Sequence, residues 1–255
     1  WSPDGEWIAF ISNEEGLPQL WLLETYGGAQ KKIAITQRQW KQPAGRIRLK
    51  LRDQRSGSPT AARITTRASD GRFYAALDSF PITARFSGIR NQSIFYAEGE
   101  AIIEAPAGEF TIEAAKGFEY EPVVRRVDVK AGQTTDVEIS LEPITNMGAK
   151  GWYSGSTHVH MNYAGNLHNT LDNLMMMSDA EDQDIVNEQI ANKDNRILDH
   201  HVFVPGGGAH PISTPERIMV VGQEYRPPFY GHVFMFGLED HLISPFTTGY
   251  EGTAI

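Results

Sequence analysis

The sequence predicts a multidomain chain. A β-sheet fragment is expected over residues 1–40, an all-β sandwich over 46–142 and an incomplete α/β part over 151–255. Three observations lead there. Short strand patterns separated by Gly, Pro and Asp-Gly turns run through the first 142 residues. KQPAG at 41–45 and the stretch 143–150 read as linkers. Past the second linker strand and helix patterns alternate, and all 8 His are found there.

Composition narrows the function classes. Hydrophobic residues make up 40% and charged residues 22% of the 255, as in a globular protein rather than a disordered tail. No apolar run approaches the roughly 18 residues of a membrane-spanning helix. There is no Cys, so metal ligands are left to His, Asp and Glu. The net charge is −9 and unevenly spread: residues 46–142 hold 14 basic and 14 acidic side chains, whereas 143–255 hold 5 basic and 13 acidic. An acidic, His-rich segment attracts cations and repels nucleic-acid backbones, so no nucleic-acid partner is expected. A solvated acidic face gives the same balance. The chain opens at Trp1 inside what reads as a repeat, and is therefore expected to be a fragment whose targeting signals cannot be read.

In chain order, Pro3-Asp4-Gly5 forms a turn before a strand at Trp7–Ile11, and Leu20–Leu23 forms a second. The WSPDG turn and strand resemble a blade of a TolB-like β-propeller, which implies further blades upstream. Arg46–Arg52 alternates Ile47, Leu49 and Leu51 with basic residues, the mark of a half-buried strand. Strands are expected at Ala62–Arg67, Phe73–Leu77, Glu100–Ala105, Phe110–Ala114, Val123–Val129 and Thr135–Leu141, with Asp70-Gly71 as a hairpin turn. The run Ala105–Pro143, with its PAGEF turn and closing GQTTDVEISL strand, resembles the carboxypeptidase-regulatory-like, prealbumin-type sandwich. This part lacks His and reads as a spacer. Phe118, Tyr120 or Tyr96 could contact a carbohydrate, although exposed aromatics are ordinary on such surfaces.

The last part centres on Gly151–His168, GWYSGSTHVHMNYAGNLH. In an extended strand, residues two apart share a face. His158 and His160 would therefore converge on one point while Val159 packs behind, as a first-row divalent metal requires. An ordinary strand with two His on its polar face gives the same pattern. A helix is expected over Thr170–Glu181, capped by Thr170, with Leu171, Leu174, Met175 and Met177 as core. Strands are expected at Asp184–Ala191, at Arg217–Gly222 ending in Gln223-Glu224, and at Gly231–Leu238, which opens with His232. Gly206-Gly207-Gly208 lacks a following Lys-Ser/Thr and reads as a flexible loop.

GWYSGSTHVHM, VGQEY and YGHVFMFGL together resemble the first motifs of PHP-type (polymerase and histidinol phosphatase) metallohydrolases, and more narrowly the CehA/McbA branch. The resemblance implies an incomplete α/β PHP-type barrel with one to three zinc, manganese or iron ions at its strand ends. By position, His158 and His160 would be ligands, Glu224 a carboxylate ligand, and His232 a further ligand or a catalytic group stabilising an oxyanion. His168, Asn192, Lys193 and Gln223 are pocket candidates, although plain loop positions are the favoured reading for Asn192 and Lys193 and a surface or structural role for His168. His200, His201, His210 and His241 favour surface or structural roles. Ser156 stands where the family often has Asp, and Val186-Asn187-Glu188-Gln189 replaces the usual Asp-His of the second motif. The implied function is metal-dependent hydrolysis of a small-molecule ester, amide, carbamate or phosphoester. The alternative is a non-catalytic envelope binding protein with protein or glycan partners and a decayed site. Either reading implies a periplasmic or extracellular location.

Overall fold

The computed structural model describes residues 1–13, 17–79, 81–84, 92–161, 169–193, 196–197, 199–225 and 231–242. The first sheet is an antiparallel meander of β1 (Trp7–Ser12), β2 (Gln19–Glu24) and β3 (Gln30–Lys32). The Ser2–Gly5 turn that starts it is closed by Gly5 N–H donating to Ser2 O at 3.0 Å.

Two further sheets face each other across one apolar core. One has the order β11-β4-β8, from β4 (Ala44–Asp53), β8 (Glu100–Pro106) and β11 (Thr134–Leu141), with β11 parallel to β4. The other has the order β10-β9-β5-β7-β6, from β5 (Ala61–Arg67), β6 (Ile82–Ala84), β7 (Gln92–Glu98), β9 (Gly108–Ala115) and β10 (Val123–Val129). Ile47, Leu49 and Leu51 alternate inward from β4, as their spacing predicts. They meet Ile64, Phe95, Phe110 and Ile112 from the opposite sheet, all fully buried. Phe73–Leu77 makes only one bridge, Ala76 to Ile103, instead of the expected strand, and β7 takes the place beside β5.

The last sheet has the order β12-β13-β15-β16, with β14 (Arg196–Ile197) paired to β13. β12 (Gly155–Val159), β13 (Ile185–Lys193) and β15 (Ile218–Tyr225) are parallel, and β16 (Val233–Met235) is antiparallel to β15. One helix, α1 (Leu171–Ala180), crosses from β12 to β13. Its cap is Thr170, whose side chain accepts from Asn173 N–H. Between β13 and β15 the described chain forms the β14 pairing, a 3₁₀ turn at His200–Val202 and an isolated bridge from Ala209 to Val220, and no α-helix.

The expected class, a propeller fragment and prealbumin-like sandwich followed by an incomplete α/β PHP-type barrel, is therefore corrected. The described chain is mostly β-strand, arranged as several small sheets, and no α/β barrel is present among the described residues. The physical reason is legible in the loop before β15. Pro205, Gly206, Gly207, Gly208, Pro211 and Pro215 exclude the second crossover helix that a barrel would need. The last sheet instead curls on itself into a half-barrel. Its edge strands β12 and β16 are three strand spacings apart, roughly 14 Å in a flat sheet. Yet the rings of His158 and Phe234 lie 4.2 Å apart between centroids. Among the described residues, no helix is long and apolar enough to cross a membrane.

The C-terminal end of α1 is bolted to the sandwich. Asp179 Oδ1 receives Lys116 at 3.1 Å and Arg217 at 2.7 Å, and its Oδ2 accepts Ala61 N–H at 3.3 Å. Burial pushes the Asp179 carboxyl up, but Lys116 and Arg217 more than offset this and hold it below its ordinary value. Glu181 accepts both Arg63, at 2.8 Å, and the Tyr96 hydroxyl, at 2.7 Å. Gly117, at φ +49°, lets the chains approach here: a Cβ would fall 2.4 Å from that of Asp182. Asp179→Ala is expected to lower the unfolding free energy by on the order of 2–3 kcal/mol, because it takes the counter-charge from the buried Lys116 ammonium and leaves it the Asp179 carbonyl at 2.6 Å. A urea midpoint equal to that of the wild type would refute the account.

Candidate metal centre

Strand alternation gives the last sheet two different faces. Val159, Val186, Ile190, Met219 and Val221 project outward and pack with Leu174 of α1, Val202 and Phe203. The inner face, towards which the sheet curls, carries His158, His160, Asn187, Gln189 and Glu224, three of them fully or almost fully buried. β12 supplies the two imidazoles, as the His-x-His spacing predicts. β15 supplies the carboxylate, but its strand runs past Gly222 to Tyr225 because β16 pairs with Gln223–Tyr225.

The ligand atoms of His158, His160 and Glu224 all lie within 4.8 Å of one another. His160 Nε2 is 2.9 Å from His158 Nε2 and 2.7 Å from Glu224 Oε2, and His158 Nε2 is 3.8 Å from the same oxygen. Ligands about 2.0–2.1 Å from a tetrahedral zinc stand roughly 3.3 Å from each other, a value these separations bracket. His232 joins from the loop before β16, with Nδ1 2.8 Å from Glu224 Oε1. Glu224 is fully buried, while the side chains of His158 and His232 are about half exposed.

Protonation makes the same point. His160 Nδ1 lies 2.8 Å from the Gln189 carbonyl oxygen, which can only accept. The proton of a neutral His160 is therefore on Nδ1, and Nε2 offers a lone pair. That lone pair faces a carboxylate oxygen at 2.7 Å. Two lone pairs at this distance repel unless a cation, either a proton or a metal ion, sits between them. The donor set of two imidazoles and a carboxylate fits a divalent transition metal.

The other expected site residues fall differently. Gln223 is a correction: it points to the opposite face from its neighbour Glu224. There its Nε2 lies 3.0 Å from His241 Nδ1, and its Oε1 accepts Leu242 N–H at 2.6 Å. His168 lies outside the described residues. Asn192 and Lys193 are backbone members of β13, and their side chains lie outside the described set. His200 and His201 sit on the 3₁₀ turn and His210 caps a turn at Ile212, all apart from the cluster. Tyr96 and Tyr120, considered for carbohydrate, instead bond Glu181 and Asp53 through their hydroxyls.

Three contributors escape sequence reasoning. Gln189 holds His160 through its backbone, while its side chain donates to Asn187 Oδ1 at 2.6 Å and lies over Gly222. A Cβ at Gly222 would stand 2.7 Å from that amide and 2.4 Å from Met235 O, so only glycine fits beneath the site. Glu188 lies on the apolar outer face. Its Oε1 accepts Met161 N–H at 3.1 Å, and its Oε2 is buried with no hydrogen-bond partner among the described residues. Burial, with a smaller push from Asp199, raises its carboxyl to about 8.

No protein-family model matches the chain, and no curated protein matches it. Among solved structures, the chain is similar to GBS52, the minor pilin of the gram-positive pathogen Streptococcus agalactiae, at 13% identity and a TM-score of 0.29, over 51% of this chain and 61% of that one. It is also similar to the streptococcal ancillary pilin (11%, TM-score 0.24, over 49% and 40%). Phospholipase PlaB from Legionella pneumophila is a third (12%, TM-score 0.25, over 53% and 28%). Likeness of this degree covers less than two thirds of each neighbour and defines no common fold.

Glu188 makes stability depend on pH. Its folded value of about 8 exceeds its ordinary value of 4.5, so its contribution is complete below about pH 4.5 and is lost as pH rises through about 8. Glu188→Gln is expected to abolish that loss. The variant should be the more stable protein at pH 8, by roughly 2–4 kcal/mol, with the gap closing towards pH 5. Parallel unfolding curves with no pH-dependent gap would contradict the burial argument.

Proposed function

We propose that the chain carries a divalent-metal site of His158, His160, Glu224 and His232, and that the site serves hydrolysis of a small-molecule ester, amide, carbamate or phosphoester. The observation that supports this best is the lone-pair face of His160 turned on the buried Glu224 carboxylate at 2.7 Å. The resemblance of GWYSGSTHVHM, VGQEY and YGHVFMFGL to CehA/McbA-type hydrolases supports the same reading, without the barrel. The resemblance of the WSPDG turn to TolB-like blades and of Ala105–Pro143 to prealbumin-type sandwiches supports an exported protein.

A divalent metal held there would supply Lewis acidity, lowering the pKa of water and polarising the bond to be broken. The chain's own groups do the rest. Gln189 fixes the tautomer of His160, and the buried Glu224 presents its carboxyl oxygens to the same point. His232 engages Glu224 through Nδ1 from the exposed rim of the site. Half-exposed His158 and His232 leave an approach for substrate from solvent.

Metal content by elemental mass spectrometry after chelator-free purification tests the reading. The wild type is expected to hold at least one zinc, manganese or iron per chain. His160→Ala and Glu224→Ala, with unchanged circular dichroism, are expected to hold about tenfold less or lower. Activity on p-nitrophenyl esters and carbamates should fall in step. A wild-type protein that stays metal-free after incubation with zinc and manganese would defeat the proposal.

A further inference from the structure

A second concave site lies on the sandwich, away from the metal centre. The segment Arg38–Gln42, which leads into β4, crosses the turn that carries Asp70, Arg72 and Tyr74. Together they line a cavity of about 620 Å³. Clefts that hold small molecules run from about 300 to 1,000 Å³. Trp40 and Tyr74 form an aromatic wall, with ring centroids 5.7 Å apart and planes inclined by 44°. Lys41 and Arg72 border it against a single carboxylate, Asp70, while Arg38 on its rim is paired with Glu104 at 3.5 Å. That carboxylate is already organised: Oδ2 accepts the Tyr74 hydroxyl at 2.7 Å, Oδ1 accepts Arg72 N–H at 3.0 Å, and the Gln42 amide bonds to it as well. In a chain of net charge −9, this is a local excess of positive charge.

Each group selects one property of a ligand. Tilted, half-buried rings offer faces to a puckered ring that carries C–H bonds on one side. Side-chain amides and a carboxylate at the edge supply both donors and acceptors, as neighbouring hydroxyls require. Lys41 and Arg72 ask for negative charge, and the guanidinium fork suits a carboxylate. Inorganic phosphate would leave the aromatic wall unused, and a neutral sugar would leave the cations unused. We propose that this cleft binds an acidic saccharide, a uronic-acid-containing oligosaccharide. Trp40 and Tyr74 lie against a sugar face, Asp70 and Gln42 meet its hydroxyls, and Arg72 and Lys41 meet its carboxylate.

Calorimetric titration of the whole protein with trimers of galacturonate, mannuronate and guluronate tests the assignment. Cellotriose, AMP and inorganic phosphate serve as comparisons. At least one uronate trimer is expected to bind in the micromolar to low millimolar range, more weakly as salt is raised. Trp40→Ala and Arg72→Ala should each weaken it roughly tenfold or more. Trp40→Phe, which keeps a ring in the wall, should retain part of the affinity and guards against misreading a folding defect. The assignment is overturned if no uronate trimer binds, if cellotriose binds equally well, or if AMP or phosphate binds and the uronates do not. Binding that is indifferent to both alanine substitutions overturns it as well. None of these outcomes depends on metal, so failure here is separable from failure of the hydrolase reading.

Discussion

The carboxylate of Asp179 joins the sandwich to the sheet that carries His158, His160 and Glu224. It faces Lys116 from the end of β9, the backbone of Ala61 at the start of β5 and Arg217 at the entrance to β15. Lys116 has a side chain only 5% exposed, and an ammonium taken that far out of water requires a partner. The partner is supplied by a helix that belongs to the other sheet, so the sandwich cannot satisfy this charge alone. The consequence reaches the His158/His160/Glu224 cluster. Arg217 also donates to Gln183 O at 2.9 Å, which fixes how β15 enters the sheet, and Glu224 lies farther along that strand. The position of the buried carboxylate is thus set partly from the sandwich.

Within the last sheet, the controlling constraint is the two-residue period of the strand. It sends Val186, Ile190, Met219 and Val221 outward against α1 and sends Asn187, Gln189 and Glu224 inward. Curling then brings the inner faces of the two edge strands together, so that His158 meets Phe234. A polar lining that would be solvated on a flat sheet becomes buried, and each group must find its partner inside. Glu188 is the exception, a carboxyl on the apolar side. Burial there favours its neutral form, and it ties β13 to the chain just after His160 through Met161 N–H.

Local pattern was legible where local chemistry decides. The alternation of Ile47, Leu49 and Leu51, the Thr170 cap and the His-x-His spacing each appear in the structure as their residue types dictate. Elsewhere, pairing overrode pattern. Phe73–Leu77 has the composition of a strand, yet β7 occupies the edge of β5 that it would need. Gln223 was misplaced by one register. Adjacent strand residues face opposite ways, so extending the strand by two residues would have assigned Glu224 alone to the site. The missing signal was β16, whose pairing holds residues 223–225 extended. Gln189 and Gly222 carried no signal, because their roles come from a backbone carbonyl and from an absent side chain.

The loss of the barrel has a consequence for chemistry. A helix after β13 would have covered the outer face of β15 with a rigid cylinder. The Pro- and Gly-rich loop covers it instead, with Val202, Phe203 and Ile212 packed against the sheet and His241 stacked on Phe203 at 4.3 Å between ring centroids. Such a cover shields the outer face and contributes nothing to the mouth of the inner one. The result is an uneven site: Glu224 is sealed from water on the sheet, while His158 and His232 stand about half exposed above it. Buried charge strengthens attraction for a cation, because less solvent screens it. Exposed imidazoles keep the path to that cation open. A buried carboxylate beneath accessible imidazoles is the arrangement that results, and both halves of it follow from where the chain could not form a helix.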